Sequence, residues 1–338
     1  MAAPWVLHVD LDQFIAAVEV LRRPGLVGLP VVVGGRGDPT ERGVVATASY
    51  AAREHGIRSG MPLRTAVKRC PDAVFLPADN PAYDVASAGV MDALRALPGV
   101  VVEVMGWDEA FLGVDTDDPE AFAAHVQAQV YAATSLRCTV GIGDNLLRAK
   151  IATGFGKPAG VFRLTRGNWF AVMGDRPTRA LWGVGVKTAR KLADRGLHTV
   201  ADLAAADPAA LAADLGPARG PYHVQLGRGI GRERVDGTPW VPRSHGRETT
   251  FQADLEDWAD VRTEVAGLAR TVAGELAGRP ARRVGVTVRF VPFTTRTRSA
   301  TLPAPTLDAD VLAAAAAGVL DRFPTRRAVR LVGVRAEF

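Results

Sequence analysis
Cysteine is nearly missing from this chain of 338 residues: Cys70 and Cys138 are the two, and they form no Cys-x-x-Cys pair. A disulfide framework and a zinc knuckle are therefore excluded. The six histidines show no His-x-x-x-His or His-Glu-x-x-His spacing. There is no run of 18 apolar residues, and the N-terminus reads straight into a strand at residues 5–9 with no charged segment and apolar stretch before it. The expectation is a soluble, cytoplasmic protein. Lysine is scarce, so the net charge of +5 is carried almost entirely by arginine. A basic balance favours polyanions, although an Ala-, Gly- and Arg-rich chain also reflects genome composition.

What is present suffices for a large core: 48% of the residues are hydrophobic and 23% charged, and the length suggests two or more domains. The first part reads as mixed α/β. Strands are expected at 5–9, 29–33, 44–48 and 138–142, with a hairpin of 100–105 and 109–114 around Gly106-Trp107. Helices are expected at 13–21, capped by Asp12, from 49 through His55, at 122–133 and at 146–153. Residues 177–231 are helical and punctuated by glycine, and 236–242 read as a linker. The last part runs strand 246–251, helix 255–276, strands 283–291 and 296–302, helix 308–320 and strand 329–338. That β-α-β-β-α-β order closes as one sheet with helices on one face. The fold class is α/β in the α+β sense.

Three acids stand out. Asp10 ends an apolar strand, and Asp108 and Glu109 sit where the hairpin turns. Neighbours in a regular strand point to opposite faces, but near a turn the alternation breaks and both can serve one site. Acids without nearby basic partners are costly unless a cation neutralises them, and hard oxygen ligands suit magnesium. Spacing alone does not show that the three converge; surface turn acids are the plain reading of each one singly. Gly154-Phe155-Gly156-Lys157-Pro158 fails as a phosphate-binding loop because Pro follows the Lys, and Gly34-Gly35-Arg36-Gly37 lacks the full dinucleotide-loop spacing.

Four runs settle the comparison. His8-Val9-Asp10-Leu11-Asp12-Gln13-Phe14-Ile15-Ala16-Ala17-Val18-Glu19 closely resembles the first motif of Y-family DNA polymerases, in particular the DNA polymerase IV (DinB) class. So do Ala46-Thr47-Ala48-Ser49-Tyr50-Ala51-Ala52-Arg53-Glu54-His55-Gly56-Ile57, Trp107-Asp108-Glu109-Ala110-Phe111, and Arg148-Ala149-Lys150-Ile151-Ala152 followed by Gly156-Lys157-Pro158-Ala159-Gly160. The motifs occur in the family's order and spacing, and the resemblance runs from the first strand to the last.

The resemblance implies a right-hand polymerase: palm at 1–12 and 80–165, fingers at 13–79, thumb at 166–235, linker at 236–245 and little finger at 246–338. It implies template-directed, low-fidelity translesion synthesis by two-metal phosphoryl transfer, with no room left for a proofreading exonuclease. Two magnesium ions, with manganese as substitute, would be held by Asp10, Asp108, Glu109 and the main-chain carbonyl of Leu11. Asp12 is read as a helix cap rather than a ligand. Tyr50 and Arg53, three apart on a helix, match the triphosphate-binding positions with Lys157, and Thr47 lies beside them. Ala46 falls over the nascent base pair, and Phe14 and Ile15 beneath the incoming nucleotide. Partners are primer–template DNA, deoxynucleoside triphosphates and, through Ile15, ribonucleoside triphosphates; the protein is expected to be a monomer.

The DNA grip has two parts. Leu181-Trp182-Gly183-Val184-Gly185-Val186-Lys187-Thr188-Ala189-Arg190-Lys191-Leu192 resembles a helix-hairpin-helix motif, in which Gly183 and Gly185 allow a tight turn. The helix start then faces phosphate, with Lys187, Thr188 and Arg190 beside it. Arg289, Arg296 and Arg298 lie in a stretch without acids between Glu275 and Asp308, and alternation sets Arg296 and Arg298 on one face.

Departures from the family pattern also matter. Where the family carries a large aromatic after Phe14, this chain has Ile15, which marks a subgroup with an aliphatic residue at the steric-gate position. Gly106-Trp107 replaces a Ser and an aliphatic residue, and Trp107 is expected to pack beneath the catalytic hairpin. The chain ends at Arg335-Ala336-Glu337-Phe338 without the glutamine-led peptide that docks DinB-class chains on a sliding clamp. The rival readings are a catalytically weak DNA-binding repair scaffold and a palm-type nucleotide cyclase.

Overall fold
The computed structural model describes residues 3–324 and 326–338. Two compact units divide the chain: one up to Asp38 with Val44–Met61 and Thr65–Pro239, the other Pro39–Gly43, Pro62–Arg64 and Trp240–Phe338.

The first unit begins with β1 (Ala3–Leu11), α1 (Phe14–Arg22), β2 (Val31–Val33), β3 (Thr47–Ala48), α2 (Tyr50–Glu54), α3 (Leu63–Arg69, which starts among the second unit's residues), β4 (Val74–Leu76) and α4 (Asn80–Arg95). It continues through β5 (Val101–Val104), β6 (Glu109–Thr116), α5 (Pro119–Thr134), β7 (Cys138–Gly143), α6 (Leu146–Gly156) and β8 (Val161–Leu164). The larger sheet runs β5-β6-β1-β7-β8. Strand alternation sorts β1 into two faces. Leu7, Val9 and Leu11 enter a core with Tyr83, Val90 and Leu94 of α4 and Ala123, Val126 and Val130 of α5. The opposite face is covered by α6, where Leu146 and Ala149 pack on Val6 and Phe111. This α6 face also carries His8, Asp10 and, across the ladder, Glu109, the direct partner of Asp10.

Contact between α6 and the sheet requires glycine. A Cβ at Gly141 would lie 2.1 Å from the Ala149 carbonyl oxygen, and one at Gly143 2.5 Å from the Ala149 nitrogen. A smaller sheet, β3-β2-β4, packs against α1 and α2. Ser49 caps α2 by accepting from the Ala52 N–H at 3.3 Å.

Helices α7 (Trp169–Met173), α8 (Val186–Ala193), α9 (Val200–Ala205), α10 (Pro208–Leu215) and α11 (Arg219–Gly227) complete this unit around Trp169, Met173, Leu192, Leu203 and Val224. The chain then returns to the edge strand β5. Glu103 pairs with Arg232 and accepts the Asp236 N–H at 2.8 Å, and Gly237 lies against Val101.

The second unit holds β9 (Ser244–Leu255), α12 (Trp258–Gly274), β10 (Ala281–Phe290), β11 (Thr294–Thr306), α13 (Ala309–Leu320) and β12 (Val329–Glu337). Its sheet is β11-β10-β12-β9, antiparallel throughout. Helices α12 and α13 bury Val261, Val265, Leu312 and Val319 against Val284, Val286, Val288 and Val332. The β-α-β-β-α-β expectation holds, with the first three strands longer than expected. Arg42, on the 39–43 segment of this unit, donates to Asp254 at 2.5 Å. Among the described residues, no helix is long and apolar enough to cross a membrane.

Two local expectations are corrected. The strand at 44–48 shrinks to Thr47–Ala48, because only these residues pair with β2. Asp12 does not cap α1: Gln13 occupies that position with φ 47° and no side-chain cap, while the Asp12 carboxylate bonds elsewhere.

Candidate active site
Direct pairing brings Asp10 and Glu109, two of the three acids, to one place on the sheet. Opposed residues of an antiparallel pair project to the same face. Asp108 lies one residue before β6 begins, in the bend, where strand alternation no longer applies. Its main-chain carbonyl accepts the Leu11 N–H at 2.8 Å, tying the bend to the end of β1. Burial, and then the charges of Asp10 and Glu109, push the Asp108 carboxyl above the usual range.

Basic partners do exist for these acids, but they come from far along the chain. Lys157, just after α6, pairs with Asp10, and Lys150 on α6 pairs with Glu109. Buried His8 stands 3.3 Å from Glu109 through Nε2, and its Nδ1 lies 2.9 Å from the Thr153 hydroxyl. The hydrogen bond to His8 and the Lys150 ammonium overcome burial and hold Glu109 down at about 2. Burial outweighs these charges at His8 and lowers its imidazole. Ligand atoms of His8, Asp10 and Glu109 all lie within 4.8 Å of one another. His8 and Lys150 lie inside the first and last motif runs, but local pattern assigns neither a role. The signal available was their position: His8 is two residues before Asp10 on the same strand face.

The other expected nucleotide contacts divide. The Arg53 guanidinium lies over the Tyr50 ring at 5.0 Å, and its Nε donates to the Ala48 carbonyl at 2.9 Å. The Tyr50 hydroxyl donates to Asp12 at 2.7 Å. Ala46 is exposed and Thr47 half-buried. Ile15 is half-buried at the edge of the core, whereas Phe14 is only 3% exposed and packs within it. Phe14 is thus not brought to the accessible side, because successive residues on a helix point about 100° apart. Trp107 leans on α4: its indole N–H donates to Asp84 at 2.8 Å and its ring meets Tyr83 edge-on.

Gly183 adopts φ 90°, Val184 turns inward, and Gly185 precedes α8 without a side-chain cap. Lys187, Arg190 and Lys191 are exposed, and Thr188 is half-buried. Trp182, before the turn, receives the Lys150 ammonium 5.4 Å above its ring.

The three arginines of the second unit do not share one face. Arg296 and Arg298 stand opposite Val288 and Val286, on the helix-covered side of edge strand β11. Arg289 stands opposite Thr295 and bonds its hydroxyl at 2.9 Å, on the open side. That open side holds a hollow of about 320 Å³ lined by Gly246, Gly285 and Gly333 with Thr287, Thr297 and Arg335.

Known proteins resemble the chain along its length. Residues 9–154 match the impB/mucB/samB family, residues 242–337 that family's C-terminal domain, and residues 181–219 a SAM-like helix-hairpin-helix tandem. A protein named DNA polymerase IV 2 from Mycobacterium tuberculosis is 51% identical over 343 residues, covering 99% of each chain. DNA polymerase IV of Methanoculleus marisnigri is 40% identical, covering 98% of this chain and 93% of that one. A solved Y-family DNA polymerase chimera, Dbh-Dpo4(243-245)-Dbh, superposes with a TM-score of 0.90 at 25% identity over 98% of both chains. An insertion ternary complex of Dbh DNA polymerase shares the fold at a TM-score of 0.67 and 24% identity.

Proposed function
The chain belongs to the Y-family DNA polymerases, in the DNA polymerase IV class that carries out translesion synthesis, and from that membership we propose that Asp10, Asp108 and Glu109 form its nucleotidyl-transfer centre. The observation that carries this reading is the pairing of Asp10 with Glu109 on one sheet face, with Asp108 in the adjoining bend. The site suits divalent cations: burial, and then the neighbouring charges of Asp10 and Glu109, raise the Asp108 carboxyl, and carboxylate and carbonyl oxygens favour magnesium or manganese. Asp10, Asp108, Glu109 and the Leu11 carbonyl would hold them. Held there, such cations supply the charge neutralisation and hydroxyl activation of two-metal phosphoryl transfer.

The remaining work falls to the chain's own groups. Arg53 and Lys157 receive the triphosphate, with Tyr50 beneath Arg53. His8 and Lys150 hold Glu109 in orientation. The turn at Gly183–Gly185 and the exposed Lys187 and Arg190 hold duplex phosphates without reading sequence. Primer–template DNA and nucleoside triphosphates are the partners, and the enzyme works as a monomer without proofreading. Primer extension with magnesium tests the assignment. Asp108→Ala should abolish it while duplex binding persists; extension at a comparable rate would remove Asp108 from the centre.

Weak sugar discrimination is part of the same reading. An aromatic ring at position 15 would lie under the sugar and exclude a 2′-hydroxyl. Isoleucine keeps its bulk near the backbone, and Phe14, committed to the core, does not fill the space. Ribonucleotide incorporation follows, and Ile15→Phe tests it.

A further inference from the structure
Asp12 is only 5% exposed, yet it is neither the helix cap expected of it nor one of the proposed metal ligands. Its carboxylate collects three donors from three separate segments. Oδ1 accepts from the Tyr50 hydroxyl of α2 at 2.7 Å and from the Thr139 hydroxyl of β7 at 2.9 Å. Oδ2 accepts the main-chain N–H of Ala159 at 2.8 Å. Ala159 sits at φ 52°, a left-handed conformation that costs a residue with a Cβ and persists where the surroundings hold it.

Two of these three contacts lead to a cation. Tyr50 lies beneath the Arg53 guanidinium at 5.0 Å, and Ala159 stands two residues after Lys157. A phenol has one proton to donate. In this arrangement Tyr50 gives it to Asp12, and its ring serves as the platform for Arg53. The two cations come from segments more than 100 residues apart in the chain, and Asp12 is bonded toward both.

We propose that Asp12 is a positioning residue that sets the spacing between Arg53 and Lys157, and so fixes the triphosphate grip. This rests on the proposed role of those two cations. The side chain acts on nucleotide binding and not on the duplex, because its donors lie in α2, β7 and the loop after α6, and the helix-hairpin-helix supplies none of them.

Steady-state single-nucleotide insertion on Asp12→Ala, Asp12→Asn, Tyr50→Phe and Thr139→Val tests this, with primer–template Kd and melting temperature measured alongside. Arg53→Ala and Lys157→Ala serve as references and should raise KM for the nucleotide. Asp12→Ala should raise that KM about tenfold or more, with a smaller change in kcat and unchanged DNA affinity, since sub-ångström misplacement of binding groups is costly. Asp12→Asn keeps an acceptor for Tyr50 and Thr139 but turns an amide donor toward the Ala159 N–H, so it should fall between wild type and Asp12→Ala. Tyr50→Phe should resemble it. Thr139→Val removes a bond that leads to neither cation, and should lower melting temperature more than it changes KM.

If the reference variants raise KM while both Asp12 variants leave it at the wild-type value, the inference is wrong and the triphosphate reading stands. If the reference variants leave KM unchanged, the triphosphate reading fails and the inference falls with it. Should Asp12→Ala not fold, Asp12→Asn and Tyr50→Phe decide; an unchanged KM in both overturns the inference.

Discussion

Replacing Gly141 by alanine should damage stability and synthesis together, through one backbone contact. The added methyl would sit 2.1 Å from the Ala149 carbonyl oxygen and 2.4 Å from the Thr153 nitrogen, where real contacts stop near 3.0 Å. Both atoms belong to the α6 backbone, so no side-chain rotation relieves the clash, and α6 must retreat by nearly 1 Å. Overpacking of this kind costs about 1–3 kcal/mol, and with backbone on both sides the upper end applies. For a unit of this size, ~3 kcal/mol corresponds to a melting temperature lower by roughly 6–12 °C. Because α6 carries Lys150 and leads into Lys157, the same displacement moves both lysines that face the acids. A misplacement of that size slows catalysis by about 10²-fold. Gly154 is the control: it lies within α6, and a Cβ there meets nothing within 4 Å. Gly154→Ala should keep full activity and gain up to about 1 kcal/mol from helix propensity. Thermal unfolding and single-nucleotide insertion read both effects. If Gly141→Ala melts and inserts like Gly154→Ala, α6 is not pressed on the sheet as described.

Wild-type protein should extend a DNA primer with ribonucleoside triphosphates alone, and Ile15→Phe should suppress this while sparing deoxynucleotides; each 1.4 kcal/mol of restored clash is about tenfold in selectivity, and equal rejection by both proteins would dismiss position 15 as the gate. DNA affinity should fall steeply with salt, and Arg296→Ala with Arg298→Ala should reduce the slope of log affinity against log salt by up to about two, with Arg289→Ala comparing the opposite face; an unchanged slope removes the residues from the contact surface. A pure preparation should not degrade a mismatched primer 3′ end in magnesium, and metal-dependent shortening would contradict the absence of proofreading. In the second unit, Arg247 and then His245 hold Glu275 down at about 2, so its ionised form contributes stability above its ordinary value of 4.5 and loses it as pH falls toward 2. The melting-temperature gap between wild type and Glu275→Gln should therefore close across that interval, and a constant gap would refute the pairing.

Sequence gave access to whatever rests on local pattern. The hairpin around Trp107, the alternation of β1 and the β-α-β-β-α-β order follow from periodicity over short windows, and the structure keeps them. Convergence of Asp10 and Glu109 needed the ladder register, which pattern does not supply. The acids looked unpaired because Lys157 and Lys150 lie 147 and 41 residues from their partners. Asp12 follows the same rule: a capping bond is local, whereas its donors lie 38, 127 and 147 residues away. Arg296 and Arg298 do share a face, as alternation required, but pairing with β10 decided which face, and Arg289 went to the other.

The chain between the two units is shorter in effect than in sequence. Glu103 fastens Arg232 and Asp236 on one side, and on the other Arg279 donates to the Pro242 carbonyl at 2.7 Å. Residues 237–241 remain between these anchors, and the six steps from Asp236 to Pro242, at ~3.3–3.6 Å each, reach no further than about 22 Å. The slack of this segment is set less by its Gly- and Pro-bearing composition than by contacts made inside each unit, where its two ends are tied. Replacing Glu103 by alanine would untie Arg232 and Asp236 and so lengthen the free stretch without changing its composition.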